Sequence, residues 1–290
     1  MAEWVGPTSH SFISQRLRLA YQDWGHPEKP PLLLVHGGRD HSRSWDWVAQ
    51  ELRDDWHIIA PDLRGHGDSA WAPDGNYPME AFVYDLAQLV HQLKLAPVTI
   101  VAHSLGGNIS LRYAGLYPEN VRKLVAIEGM GPAPKAPAAD DVTMADQLRA
   151  WIDKKRAAAG RLPKRYARIE DALARMKAEN GFLNDEQAAH LTAYGVIQNE
   201  DGSFSWKFDN HLNAWNPVDI SFADKAALWG AITCPTRLCW GEDSWALDPR
   251  TDGRLAQFNC DVDVVAFPKA GHWLHHDQFA MFMRLLRDFL

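Results

Sequence analysis

VTIVAHSLGG, residues 98–107, reads in two halves. Val98–Ala102 is a short, β-branched apolar run of the kind buried on both faces at the centre of a parallel sheet. From Gly106 to Tyr117 the apolar residues fall at helical spacing instead. Between the halves stands Ser104, with Ala102 two positions before it and Gly106 two positions after. A serine aimed outward from a tight strand-to-helix turn needs small residues at those places, because the backbone folds back on itself there. The following helix points its N-terminus at the hydroxyl oxygen, where it helps stabilise negative charge. An ordinary helix-capping serine is the plainer alternative; the strand before and the helix after favour the turn.

The same alternation extends outward. Short apolar runs at 31–35 (PLLLV), 57–60 (HIIA), 121–129 (VRKLVAIEG), 236–241 (TRLCWG) and 262–267 (VDVVAF) read as strands. Helical patterns occupy 44–53, 78–94, 106–117, 250–257 and 275–290. Residues 10–24 alternate enough to be a leading hairpin or edge pair. Strand–helix alternation of this kind predicts an α/β protein: a mostly parallel central sheet covered by helices on both faces. The alternation breaks after about residue 131. GPAPKAPAADD (131–141) reads as a Pro/Ala-rich hinge, and helical patterns follow. Met144, Leu148, Trp151 and Ile152 make one stripe; Ile169, Leu173 and Met176 make another. Asn184–Gln187 has the form of a capping box ahead of a helix that ends near Gly195, and 201–204 reads as a turn. The expected division is a core of residues 1–131 and 226–290, with a helical cap inserted at 132–225.

Two further landmarks sit where the predicted strands end. His36-Gly37-Gly38 follows the first buried strand, and a glycine-rich turn there allows a backbone N–H to face the serine. The N–H groups of Gly38 and Leu105 are the expected oxyanion hole. Ala270-Gly271-His272-Trp273 follows the last strand, so His272 lies on a loop free to reach the serine turn. Taken alone, a glycine turn or a single histidine is more often structural; all three at successive strand ends of one topology are not independent accidents.

Composition narrows the field. With 30 Lys+Arg against 37 Asp+Glu in 290 residues the net charge is −7, which argues against a nucleic-acid partner. Residues 149–177 carry ten Lys/Arg, read as a solvated helix face, or else as a cap surface attracting anionic substrates. The start, MAEWVGPTSHSF, has no signal-peptide pattern, and no apolar run approaches the length of a membrane span. Three cysteines (234, 239 and 260) suggest reduced thiols, and the expected location is the cytoplasm. Thirteen tryptophans predict core and pocket walls. The thirteen histidines form no metal-ligand spacing, and no phosphate-binding glycine loop is present, so neither metal nor cofactor is expected.

HGG (36–38), PDLRGHGDS (61–69), AHSLGG (102–107), WGED (240–243) and AGHW (270–273) together resemble the α/β-hydrolase superfamily in order and spacing, over nearly the whole chain. The resemblance is strongest to cap-bearing, cofactor-free serine hydrolases of the esterase, haloperoxidase-like and serine-hydrolase-like group. It implies that Arg64 and Asp68 fix their loop rather than do chemistry. A serine at the elbow, rather than the aspartate of dehalogenases and epoxide hydrolases, implies an acyl-enzyme and an ester, thioester or lactone substrate, with His272 as the base. One departure stands out. The position where the family usually keeps its acid is Ser244, with Asp243 one residue early; the family's second solution, at the end of the preceding strand, is Glu128. Either can supply the acid, with Glu128 taken first. Trp151, Trp206, Phe208 and Trp215 are candidates for an apolar substrate pocket in the cap. Carbon–carbon bond hydrolysis, haloperoxidase or perhydrolase chemistry, or a non-catalytic binding role on the same fold are the alternatives. The partner expected is a small molecule, and the sequence leaves the oligomeric state open.

Overall fold

A computed structural model describes residues 5–132 and 142–290; the first four residues and most of the predicted hinge lie outside the described residues. The chain opens with an antiparallel pair, β1 (Thr8–Ser14) and β2 (Leu17–Asp23), joined by Gln15 and Arg16, both at positive φ. Two such residues turn the chain with the hand that matches the twist of the strands. The strands β3 (Pro31–Val35), β4 (His57–Pro61), β5 (Val98–His103), β6 (Val121–Ile127), β9 (Thr236–Gly241) and β10 (Val262–Phe267) follow. The eight lie in the order β1-β2-β4-β3-β5-β6-β9-β10, parallel from β4 to β10.

Period-two side-chain alternation sorts the strand residues between two cores. Leu33 and Val35 of β3 face one side, packing with Phe82 and Leu86 of α2 (Met79–Gln92) and Ile109 and Tyr113 of α3 (Leu105–Leu116). Leu32 and Leu34 face the other, packing with Trp45, with Val48 of α1 (Asp46–Leu52) and with Phe282 and Leu286 near the C-terminus. A parallel sheet buried on both faces accounts for strand runs that are apolar at every position.

Between β6 and β9 the described residues form α4 (Met144–Ala159), α5 (Ile169–Glu179), α6 (Asp185–Gly195) and a hairpin of β7 (Val196–Gln198) and β8 (Phe204–Trp206). The capping box is present: Gln187 N–H donates to Asn184 Oδ1 at 2.8 Å, and the Gln187 side chain accepts from Asn184 N–H at 3.0 Å. Strands of three residues are too short to show as an apolar run in the sequence; Gly202, at φ 83°, makes the hairpin's turn. The expected boundary at 225 falls inside α7 (Phe222–Ala231), whose Trp229 belongs to the core shared with α3, so that helix belongs with the sheet. The predicted helix at 250–257 is only a 3₁₀ turn at Leu255–Gln257. The Asp248 and Asp252 side chains accept from the N–H groups of Arg250 and Arg254, and Gly253 sits at φ 78°. Asp side chains that bond the backbone two residues on favour turns over helix. The C-terminus closes with α8 (Leu274–Asp277) and α9 (Phe279–Phe289). No helix of the described residues is long and apolar enough to cross a membrane.

Candidate active site

Ser104 stands between β5 and α3 at φ 51° and ψ −113°, a left-handed conformation that costs a non-glycine residue roughly 1–3 kcal/mol. Its surroundings hold it there. Ser104 N–H donates to Ile127 O of the adjacent strand at 2.7 Å, and Asn108 N–H donates back to Ser104 O at 3.0 Å. A Cβ at Gly106 would stand 2.6 Å from Val35 O, and one at Gly107 would stand 2.7 Å from the Cα of Gly129. Only glycines allow the helix start to come this close to β3 and to the end of β6.

His272 follows β10, as expected, and its Nε2 lies 2.9 Å from Ser104 Oγ. Its Nδ1 is hydrogen-bonded to Glu128 Oε2. Glu128, at φ 47°, follows β6, and its side chain is fully buried. A buried carboxylate needs partners. Besides His272, Glu128 accepts from Gly241 N–H at 3.0 Å through Oε1 and from Ser244 Oγ at 2.7 Å through Oε2. Thus the serine at the usual acid position serves as a donor to the carboxylate. Asp243 goes elsewhere: its N–H donates to Ala270 O at 3.0 Å, and its exposed side chain makes no hydrogen bond or ion pair among the described residues. With an ionised Glu128 at Nδ1, that nitrogen carries the imidazole proton and Nε2 accepts from the Ser104 hydroxyl. A serine, histidine and carboxylate linked in this way can activate the hydroxyl for acyl transfer.

Two residues absent from the sequence reading complete the environment of His272. The side chain of His103 is buried, its Nε2 hydrogen-bonds His272 O at 2.9 Å, and its ring lies 4.7 Å from that of His272. Burial holds His103 well below the ordinary histidine range, so it stays neutral and Nε2 is the donor. Gly37 makes room for it: a Cβ there would stand 2.7 Å from His103 Nδ1. Trp245 also packs on His272, ring centroids 4.7 Å apart, while 79 % of the tryptophan remains exposed. Its place one residue after Ser244 was the available signal. Asp277 accepts from Gly271 N–H at 2.8 Å, and burial pushes its carboxyl up to about 6.

Gly38, Ser104, Leu105, Glu128 and His272 open on a cavity of about 1300 Å³. Leu105 is the first residue of α3, so its N–H has no partner within the helix. Gly38 lines the cavity, and a Cβ built on it would meet nothing within 4 Å. Trp206, Phe208 and Trp215 line the same cavity. Trp151 is not in its lining; it donates to Ala214 O at 3.2 Å and ties α4 to the segment before α7. Arg64 is held by Asp85 at 2.5 and 2.6 Å, and Asp68 by Lys207 at 2.8 Å, so both residues fix structure. The basic stretch 149–177 is largely self-neutralised on the surface: Arg149, Arg156, Arg165, Arg168, Arg175 and Lys177 each pair with a carboxylate. No group of three or more His, Cys, Asp or Glu suited to hold a metal occurs among the described residues.

A "Serine hydrolase-like protein" of Danio rerio is 30 % identical over 201 residues, 69 % of this chain and 61 % of that protein, so the chain matches less than two thirds of that relative's length. A "3-hydroxybutyrate-oligomer hydrolase" of Cupriavidus necator is 31 % identical over 270 residues, 88 % of this chain and 87 % of that protein. Among solved structures, a thioesterase domain from the curacin biosynthetic pathway superposes with a TM-score of 0.86, covering 98 % of this chain and all of that one at 22 % identity, a likeness of fold. A sequence profile of the alpha/beta hydrolase fold matches residues 30–279, and with strand order, elbow and histidine loop in agreement the chain belongs to that family.

Proposed function

We propose that this protein is a serine hydrolase that cleaves an ester-type bond (carboxylic ester, thioester or lactone) of a small, largely apolar molecule through an acyl-enzyme. The observation that carries the reading is the continuous hydrogen-bonded chain from Ser104 Oγ through His272 to the buried Glu128. The kinship with hydrolases, two of them named above, supports it.

In this reading Ser104 Oγ attacks the carbonyl carbon as His272 Nε2 takes its proton. Glu128 keeps the imidazole in the required tautomer and stabilises the imidazolium. The carbonyl oxygen, now negatively charged, accepts from the N–H groups of Gly38 and Leu105. His272 returns the proton to the leaving oxygen or sulfur, then takes one from water as that water attacks the acyl-enzyme. Trp206, Phe208 and Trp215 supply apolar wall, so the cap segment sets substrate choice while the sheet carries the chemistry. No cofactor and no macromolecular partner enters the scheme, and the cytoplasm is its expected setting.

The test is covalent labelling. An alkyl fluorophosphonate is expected to modify the wild type at Ser104 and to leave Ser104→Ala unmodified; modification of the variant at an equal rate refutes the assignment. Hydrolysis of p-nitrophenyl esters of graded acyl length then supplies the substrate profile.

A further inference from the structure

We infer that the substrate carries an anionic group, a carboxylate or a phosphate, bound by Arg39; the inference rests on the serine-hydrolase reading above. Arg39 immediately follows Gly38, whose N–H is the proposed oxyanion donor, so its side chain springs from the loop that would hold the reacting carbonyl. It lines the 1300 Å³ cavity and also a narrow cleft, and Trp206 and Phe208 line both as well. Its residue is exposed, at φ 60°. A left-handed conformation at a non-glycine residue persists only where the surroundings impose it, and such residues gather at binding sites.

The distribution of charge on the wall singles this residue out. Among the described residues, the other Lys and Arg side chains lining the cavity are already satisfied. Arg112 donates to both oxygens of Asp219 at 2.7 Å and to Asn108 Oδ1 at 2.9 Å. Lys225 pairs with the same Asp219 at 2.9 Å. Arg254 is spent on Asp252 and on the carbonyls of Gly131 and Leu247. Arg39 has no hydrogen bond, ion pair or ring contact among the described residues. Asp40, next in the chain and buried in the wall of the narrow cleft, accepts from His41 N–H at 2.8 Å and forms no ion pair with Arg39, and the unpartnered Asp243 lies elsewhere on the cavity wall. Arg39 follows β3 and Asp243 follows β9, with β5 and β6 between them in the sheet, which separates the loops by three strand spacings, roughly 14 Å. In a chain of net charge −7, an unpaired guanidinium on the wall of the cavity that holds Ser104 is a specific attraction for anions rather than part of a general basic surface. Guanidinium and carboxylate or phosphate form the strongest class of hydrogen-bonded pair, and a bidentate geometry adds orientation.

The anion can belong to the acyl half or to the leaving group, and three esters separate these sources. p-Nitrophenyl hexanoate is neutral, mono-p-nitrophenyl adipate has a carboxylate on an acyl chain of the same length, and 3-carboxy-4-nitrophenyl hexanoate has it on the leaving group. Wild type is expected to favour one anionic ester over the neutral one in kcat/KM. Arg39→Gln is expected to lower that ratio about tenfold or more, and Arg39→Lys to retain part of it. A wild type that favours neither anionic ester, or a preference that survives Arg39→Gln, overturns the inference. Fluorophosphonate labelling of Ser104 is followed in every variant. Loss of labelling in the wild type refutes the serine reading instead, so the two failures are distinguished.

Discussion

Replacing Glu128 by Gln keeps the shape of the side chain and removes only its charge and one acceptor oxygen. In the wild type the carboxylate accepts three hydrogen bonds, from His272, from Gly241 N–H at 3.0 Å and from Ser244 Oγ at 2.7 Å. A glutamine can keep the Gly241 bond with its carbonyl, which turns its amide N–H groups toward Ser244 and His272. Ser244 can rotate its hydroxyl and accept. His272 Nδ1 can accept only by giving up its proton to Nε2, and a protonated Nε2 cannot take the proton of Ser104. The imidazolium formed on attack would in addition face a dipole instead of a charge. Loss of both functions in a serine triad costs about 10⁴ in kcat, or about 5.4 kcal/mol. Asp243→Asn removes a carboxylate that has no partner, and an exposed change of this kind is expected to alter kcat by no more than about two- to threefold. The assay is steady-state hydrolysis of a p-nitrophenyl ester at pH 8, with far-ultraviolet circular dichroism confirming the fold of each variant. A folded Glu128→Gln that retains more than a tenth of wild-type kcat, or an Asp243→Asn that loses more than Glu128→Gln does, would falsify the assignment of Glu128.

The other expectations are shorter. Ser104→Ala and His272→Ala should each abolish most activity, and the double variant should be little worse than either, because the two act as a unit; additive losses in kcat contradict this. Trp206→Ala or Trp215→Ala should shift the preferred acyl length more than it changes the rate on acetate esters, and an unchanged profile in both removes these rings from the pocket. Asp277 titrates near 6 in the folded protein because of burial, above its ordinary value of 3.8. The folded state therefore holds a proton that the unfolded state has lost between those values, so stability falls as pH rises from about 4 to 6. Asp277→Asn, which keeps an acceptor for Gly271 N–H, should raise Tm more at pH 7.5 than at pH 4.5; an equal shift at both removes Asp277 from the pH dependence.

Strands and elbow were legible in the sequence because burial on both faces leaves an unbroken apolar run, and because Ser104 is flanked by small residues for steric reasons that no solvent-exposed turn shares. Glu128 was legible as a candidate from its place after β6, but the sequence could not decide between it and Asp243. That choice depends on where Gly241 N–H and Ser244 Oγ point, which is tertiary information. The stretch 250–257 has only Leu255 and Ala256 as apolar residues and a glycine at 253, so nothing in its spacing opposes the turns that Asp248 and Asp252 cap. Trp151, set among Met144, Leu148 and Ile152, reads as pocket or core alike; helical periodicity marks a face without saying what it meets. His103, Trp245 and Arg39 escaped notice because each was read as a neighbour of a motif, while its contacts lie across the sheet's end.

The hydrogen-bonded chain joins residues far apart along the polypeptide: His272 is 168 positions from Ser104 and 144 from Glu128. Contacts of such span close long loops at an entropic cost, and they weigh on the folding rate more than local ones do. Reaction at Ser104 consequently reports more than chemistry. A chain with β5 and α3 in place but β10 undocked has the serine without its base, and would appear folded by helix content while remaining inert to a fluorophosphonate. The fraction of molecules labelled, set against the helical signal of the same sample, would therefore count completed chains during refolding or biosynthesis and expose a late, partly assembled population that spectroscopy alone averages away.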